Sequence, residues 1–275
     1  MVGFTVVVLR QNKMRFFLLL CLSIISSSVF VSCKQEQKST ISNLKSKPKI
    51  YKESKETPKE IDEAIDKNFV LGKFNYRKDT SFVKVDNLHA SKTIYLQKRV
   101  YKEFVRMYTD AKTENIDLKI ISGTRNFYEQ KNIWERKWKK YKTFSPINRA
   151  EKVLEYSSMP STSRHHWGTD IDLNNLNNSY FEKGRGAKEY QWLSGNAKKY
   201  GFYQVYTTKE NDRTGYNMEK WHWSYIPLAK KYLKFFNSHI SYDYVTDFDG
   251  SELAKELNII KNFVNGVSTN LSEVH

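Results

Sequence analysis

Cysteine is almost missing from this chain: 275 residues contain two, Cys21 and Cys33. Both lie in or at the edge of an N-terminal apolar segment, so the rest of the sequence can form no disulfide and no thiolate metal site. A metal there would have to be held by histidine and carboxylate. Histidine is scarce too, with six in all. The long apolar run, residues 16–31, falls short of the roughly 20 residues a membrane-spanning helix needs, which ranks an uncleaved anchor second. Internal repeats are absent, and no RNA- or DNA-binding motif stands out. What the sequence does have is positive charge and aromatic residues. A formal net charge of +16 asks for an anionic partner, and by itself does not choose between nucleic acid, a membrane surface and an anionic polymer. Aromatics make up 15% of the chain, enough for a sizeable core, so composition argues against disorder.

The N-terminus reads as an address. Lys13 and Arg15 precede the apolar run, small serines fill its second half, and Ser32-Cys33 ends it before a polar tract. A basic region, an apolar region and a small residue before a cut describe a secretory signal. Cys33 after Ser32 resembles a lipobox, with Phe30 as a departure, and predicts cleavage before Cys33 and acylation of it. Met14 is an alternative start. An exported protein, lipid-anchored to a bacterial membrane and facing the periplasm or cell wall, is expected, and export disfavours nucleic acid as the partner. A monomer is expected.

Residues 34–60 are rich in Lys, Ser, Glu, Thr and Pro and predict a flexible tether. Order is expected to begin between Glu60 and Phe69. Apolar spacing predicts a helix over 94–111, and Ile116 to Ile121 reads as a strand leading to the turn Ser122-Gly123-Thr124-Arg125. Phe127 to Tyr141 reads as a basic helix and 143–162 as a loop. Strands are predicted at 167–173, 202–206 and 221–225, and helices at 192–200, ending at Gly201, and 227–236. The tail, 237–275, is an extension that could add a helix over 251–264, outside the catalytic unit.

Two clusters carry chemistry. One is Ser163-Arg164-His165-His166-Trp167-Gly168-Thr169-Asp170-Ile171-Asp172; the other is Glu219-Lys220-Trp221-His222-Trp223. Zinc takes His N and Asp O, and a catalytic site keeps three protein ligands and one open place. If Ile171 and Leu173 face the core, Asp170 and Asp172 face the other way, beside a His-bearing turn. A regular strand would point His222 away from Glu219, so both can serve one site only if the chain bends or Glu219 sits in the preceding loop. The residues alone leave this open, as they do the choice between His165 and His166. Arg164 reads as solvent-exposed.

These segments resemble the VanY-type D-alanyl-D-alanine carboxypeptidases, zinc peptidases that share a fold with the Hedgehog signalling domain. That family's pattern is Ser-x-His-x-x-Gly-x-Ala-x-Asp, then Glu-x-Trp-His. Here it is Ser163-x-His165-x-x-Gly168-x-Asp170-x-Asp172, then Glu219-Lys220-Trp221-His222. Ser122-Gly123-Thr124-Arg125 with Gln130, Trp192-Leu193, Ala197 to Phe202 and Gly215-Tyr216 follow the family's order across about 70–230. The resemblance implies an α+β fold, a small, mainly antiparallel sheet flanked by helices, within a peptidase domain at 61–236. It implies zinc on His165, Asp172 and His222, with Glu219 as general base. Arg125 would stabilise the oxyanion or bind the substrate's terminal carboxylate, and Ser163 and Gln130 would support substrate binding. His166 falls on a variable position, and Asp170 stands where the family has Ala. The implied reaction removes a terminal D-amino acid from peptidoglycan stem peptides. An endopeptidase of the same fold and a non-catalytic, peptidoglycan-binding lipoprotein are the alternatives.

Overall fold

A computed structural model describes residues 65–210 and 213–268. The signal segment 1–33 with Cys33, and the tether 34–60, lie outside the described residues. A short helix α1 (Lys67–Val70) leads to an antiparallel pair, β1 (Phe82–Lys84) and β2 (Tyr95–Gln97), and then to α2 (Lys98–Thr113). Next come β3 (Ile120–Ser122), α3 (Phe127–Lys140), α4 (Pro146–Leu154), a 3₁₀ turn (Arg164–Trp167) and β4 (Asp170–Leu173). After α5 (Gly184–Asn196) come β5 (Phe202–Gln204), β6 (His222–Tyr225) and α6 (Ile226–His239). The main sheet has the order β3-β4-β6-β5, and each neighbouring pair is antiparallel. The architecture is therefore α+β, a small antiparallel sheet with helices around it.

One face of the sheet is apolar. Ile120, Ile171, Leu173, Trp223 and Tyr225 pack there with Val100, Phe104, Met107 and Ala111, the buried stripe of α2. Each of the larger aliphatic side chains and Phe104 contributes about 1.5–3 kcal/mol by leaving water. The helix expected over 94–111 starts later, because residues 95–97 pair with β1 before the chain coils. The strand expected from Trp167 also starts later, at Asp170, because the His-bearing segment coils into the 3₁₀ turn instead. The helix expected from Trp192 starts earlier, at Gly184.

The segment read as a loop, 143–162, contains α4. Ser145 caps it by accepting from the Asn148 N–H, Pro146 opens it, and Ala150, Val153 and Leu154 form its buried face. Turn-forming residues before it and after it masked this short helix. The tail differs as well. Its residues make a 3₁₀ turn at Ser251–Ala254 and a single wide turn at Ile260–Val264 rather than one helix. Nor does it stand outside: Val245, Phe248, Leu253, Ala254 and Ile259 share a core with Phe127, Trp134 and Trp138 of α3. Trp134 Nε1 donates to the Asp249 carbonyl at 2.7 Å, tying the tail to that helix.

Candidate active site

β4 lies between β3 and β6, and register decides what meets on its polar face. Ser122 and His222 both stand opposite Asp172, and Ser224 stands opposite Asp170. Because side chains alternate, Ile171 and Leu173 enter the core while Asp170 and Asp172 face His222 and Ser224. His165 arrives from the 3₁₀ turn, which ends at Gly168 with φ +69°. A Cβ there would also lie 2.4 Å from the Phe82 ring, so only glycine fits.

The His165 Nδ1–H donates to the Gly123 carbonyl at 2.9 Å, which turns Nε2 towards Asp172, 3.5 Å from Oδ1. His222 Nδ1 lies 3.1 Å from that same oxygen. One donor atom from each of His165, Asp172 and His222 lies within 4.8 Å of the other two, and all three side chains are buried. An ion held tetrahedrally at about 2.0–2.2 Å needs donors about 3.3–3.6 Å apart, close to this arrangement. Two imidazoles and a carboxylate, with no cysteine among the described residues, form a donor set that suits zinc.

The bend that the sequence left open is a turn. The His222 N–H donates to the Glu219 carbonyl at 3.3 Å, so Glu219 precedes β6 and its Oε2 comes to 3.7 Å from His222 Nδ1. The Glu219 N–H is held by the Tyr206 carbonyl at 3.0 Å. Burial pushes the Glu219 carboxyl up to about 8, with Asp172 adding to the shift and His222, Arg125 and Lys137 opposing it. Asp172 is held well below the ordinary range, because His165 and His222 outweigh the burial that would raise it.

Arg125 lies just outside the N-terminus of α3. A capping box fixes that end: Asn126 Oδ1 accepts from the Glu129 N–H, and the Glu129 carboxylate accepts from the Asn126 N–H, both at 2.9 Å. Arg125 Nε donates to Gln130 Oε1 at 2.9 Å, and its Nη1 lies 3.9 Å from Asp172 Oδ2. Gln130 in turn donates to the Ser158 carbonyl at 2.8 Å, so it aims the guanidinium at the donor cluster. Ser163 Oγ is buried and makes no hydrogen bond within the protein. Ser163, Arg125, Gln130 and Glu219 line one cleft of about 840 Å³ together with His165, Asp172 and His222.

His166 goes elsewhere. Its Nδ1–H donates to the Arg125 carbonyl at 2.7 Å, and its ring packs against Gly72. Burial pushes it down to about 3, so it is a neutral group that secures the Arg125 backbone. Arg164, read as exposed, is buried, with its Nε 3.1 Å from Asp170 Oδ1. Sequence reasoning gave no role to Tyr206, Tyr216 or Lys137, which also line the cleft. The Tyr206 ring stacks at a tilt 4.6 Å from His222 and lies 4.9 Å from Tyr216. Lys137 Nζ donates to Ser157 Oγ at 2.6 Å. Its position seven residues after Gln130 on one helix was the available signal, since i and i+7 share a face.

Residues 93–228 match the family model described as VanY, D-alanyl-D-alanine carboxypeptidase. The chain is 28% identical over 134 residues to YodJ of Bacillus subtilis (strain 168), itself a presumed carboxypeptidase. That alignment covers 48% of this chain and 46% of the relative. It is 30% identical over 136 residues to a D-alanyl-D-alanine carboxypeptidase of Enterococcus faecium, covering 49% of this chain and 39% of that protein. The chain thus spans less than half the length of each of these relatives. Among solved structures, VanYB in complex with D-alanine-D-alanine superposes with a TM-score of 0.47 at 21% identity, over 61% of this chain and 93% of that one. Over residues 93–228, about half of its length, the chain thus matches the VanY family of D-alanyl-D-alanine carboxypeptidases.

Proposed function

We propose that this protein is a zinc-dependent carboxypeptidase that removes the terminal D-alanine, or a similar residue, from peptidoglycan stem peptides. The observation that carries this reading is the meeting of His165, Asp172 and His222 with Glu219 and Arg125 in one cleft. Export and anchoring through Cys33 belong to the same proposal and rest on the signal-like N-terminus. A cell-wall substrate would then lie on the side of the membrane where the enzyme is tethered.

His165, Asp172 and His222 would hold the metal. Zinc, when bound, polarises the scissile carbonyl and lowers the pKa of its water to about 7. Glu219, held in the cleft with its Oε2 3.7 Å from His222 Nδ1, accepts the proton from the attacking water and delivers it to the leaving amine. Arg125, poised by Gln130 and Ser122, stabilises negative charge beside the donor cluster. A guanidinium stays charged even when burial works against it, which lysine would not do as reliably. The free Ser163 hydroxyl supplies a donor for a carboxylate entering the cleft.

Glu219→Gln tests the base assignment. The variant is expected to retain zinc and fold normally while turnover falls by at least about 10²-fold. A near-normal rate would remove Glu219 from the mechanism.

A further inference from the structure

Asp170 is wholly buried and is the meeting point of four side chains. Its Oδ1 lies 3.0 Å from His222 Nε2 and accepts from Arg164 Nε at 3.1 Å. Its Oδ2 accepts from Thr169 Oγ1 at 2.5 Å and from Ser224 Oγ at 3.1 Å. Arg164 also donates from Nη2 to Ser224 Oγ at 2.8 Å and lies over the Trp167 ring, 4.9 Å from its centroid. Strand register builds the cluster: Asp170 stands opposite Ser224, and Asp172 stands opposite His222.

His222 therefore touches a carboxylate at each ring nitrogen, Asp172 at Nδ1 and Asp170 at Nε2. A neutral imidazole has one N–H and one lone pair, and the hydrogen bond at one nitrogen decides what the other offers. An ionised carboxylate only accepts, so Asp170 holds a proton on Nε2, and with an ion seated between His165, Asp172 and His222 the Nδ1 lone pair would be the one left for the metal. For His165 the Gly123 carbonyl does the same job from the other nitrogen. The Gly123 carbonyl brings no charge, whereas a lone buried carboxylate would carry a heavy desolvation penalty. Arg164 offsets that charge within hydrogen-bond distance, so the pair adds no net charge beside the donor cluster.

We propose that Asp170 is a positioning residue that fixes His222 in its Nε2–H form and aims Nδ1 at the metal, with Arg164 as its dedicated counter-ion. The metal half of this inference rests on the zinc reading above; the orientation of His222 does not.

The test separates positioning from simple packing. Removing Asp170 alone strands a buried guanidinium and invites misfolding, so both charges are removed together in Asp170→Ala/Arg164→Met, with Asp170→Leu/Arg164→Met as a second packing solution. Zinc affinity is measured by competition with a chromophoric chelator, and His222 is followed in the metal-free protein by its ring ¹⁵N shifts. The expected result is a folded double variant whose zinc affinity falls by about 10–100-fold and whose His222 no longer favours the Nε2–H form. Asp170→Asn/Arg164→Met, whose amide oxygen can still accept from Nε2 with no buried charge left alone, is expected to keep that form and to restore affinity close to wild type. A folded Asp170→Ala/Arg164→Met variant with wild-type ¹⁵N shifts and zinc affinity would reduce the Arg164–Asp170 pair to packing and overturn the proposal. If wild type binds no zinc yet the ¹⁵N shifts change as expected, the metal reading fails while the positioning of His222 stands.

Discussion

His165 reaches Asp172, while the next ring along the chain turns to the Arg125 carbonyl. His165→Ala is therefore expected to lose zinc, and His166→Ala to keep it while loosening Arg125. Metal content after dialysis checks both, and the reverse pattern would show that the two histidines have been assigned the wrong way round. Glu219 supports a second expectation. Its carboxyl, raised from 4.5 to about 8, holds a proton in the folded protein across a range where the unfolded chain has released it. The folded state then binds more protons than the unfolded one, so stability falls as pH rises through that window. In chelator-treated protein, Glu219→Gln should match wild type near pH 4 and exceed it by a few kcal/mol above about pH 8. Equal melting temperatures at about pH 9 would show that Glu219 ionises without penalty. The two clusters that build this site were legible in the sequence, with His165 chosen over His166 by the family resemblance and not by the residues alone. The roles of Arg164 and Tyr216 were not. Arg164 owes its burial to Asp170 and to Ser224, which is sixty residues away, and Tyr216 reaches the cleft only through a loop that local periodicity does not describe.

At the scale of elements, long periodic stretches such as α2 and α3 were readable, whereas α4 and the β1–β2 pair were not. β1 and β2 have three residues each, too short for alternation to register, and they exist because they pair with one another. The loop before Glu219 shows what tail residues add. Arg213 is buried and donates to the carbonyls of Thr207 (2.5 Å), Tyr216 (2.8 Å) and Gly266 (3.2 Å), which joins this loop to the tail. Phe263 of the tail meets the Tyr216 ring edge-on at 5.1 Å. Arg213→Met would leave buried carbonyls unpaired and is expected to destabilise the protein by roughly 2–4 kcal/mol and to lower turnover through Tyr216 and Glu219. Chemical denaturation and kcat on one peptide check this. Unchanged stability would mean that water replaces the guanidinium at no cost.

At the scale of the whole molecule, the chain carries a formal charge of +16, and the cleft is lined by Arg77, Lys92, Arg125, Arg136 and Lys137 as well as by Asp172 and Glu219. Such a surface raises the local concentration of an anionic peptide and does so less at high salt. The α+β class followed from the resemblance; the tail's place against α3 did not, because it depends on apolar residues spaced without a period. The central claim is a single metal-dependent cut at a peptide's end. Mass spectrometry of peptidoglycan stem peptides ending in D-Ala-D-Ala, incubated with the purified protein, tests it most directly. Loss of one terminal alanine is expected, abolished by a chelator and restored by zinc. Internal cleavage, or intact peptides despite bound zinc, would contradict it.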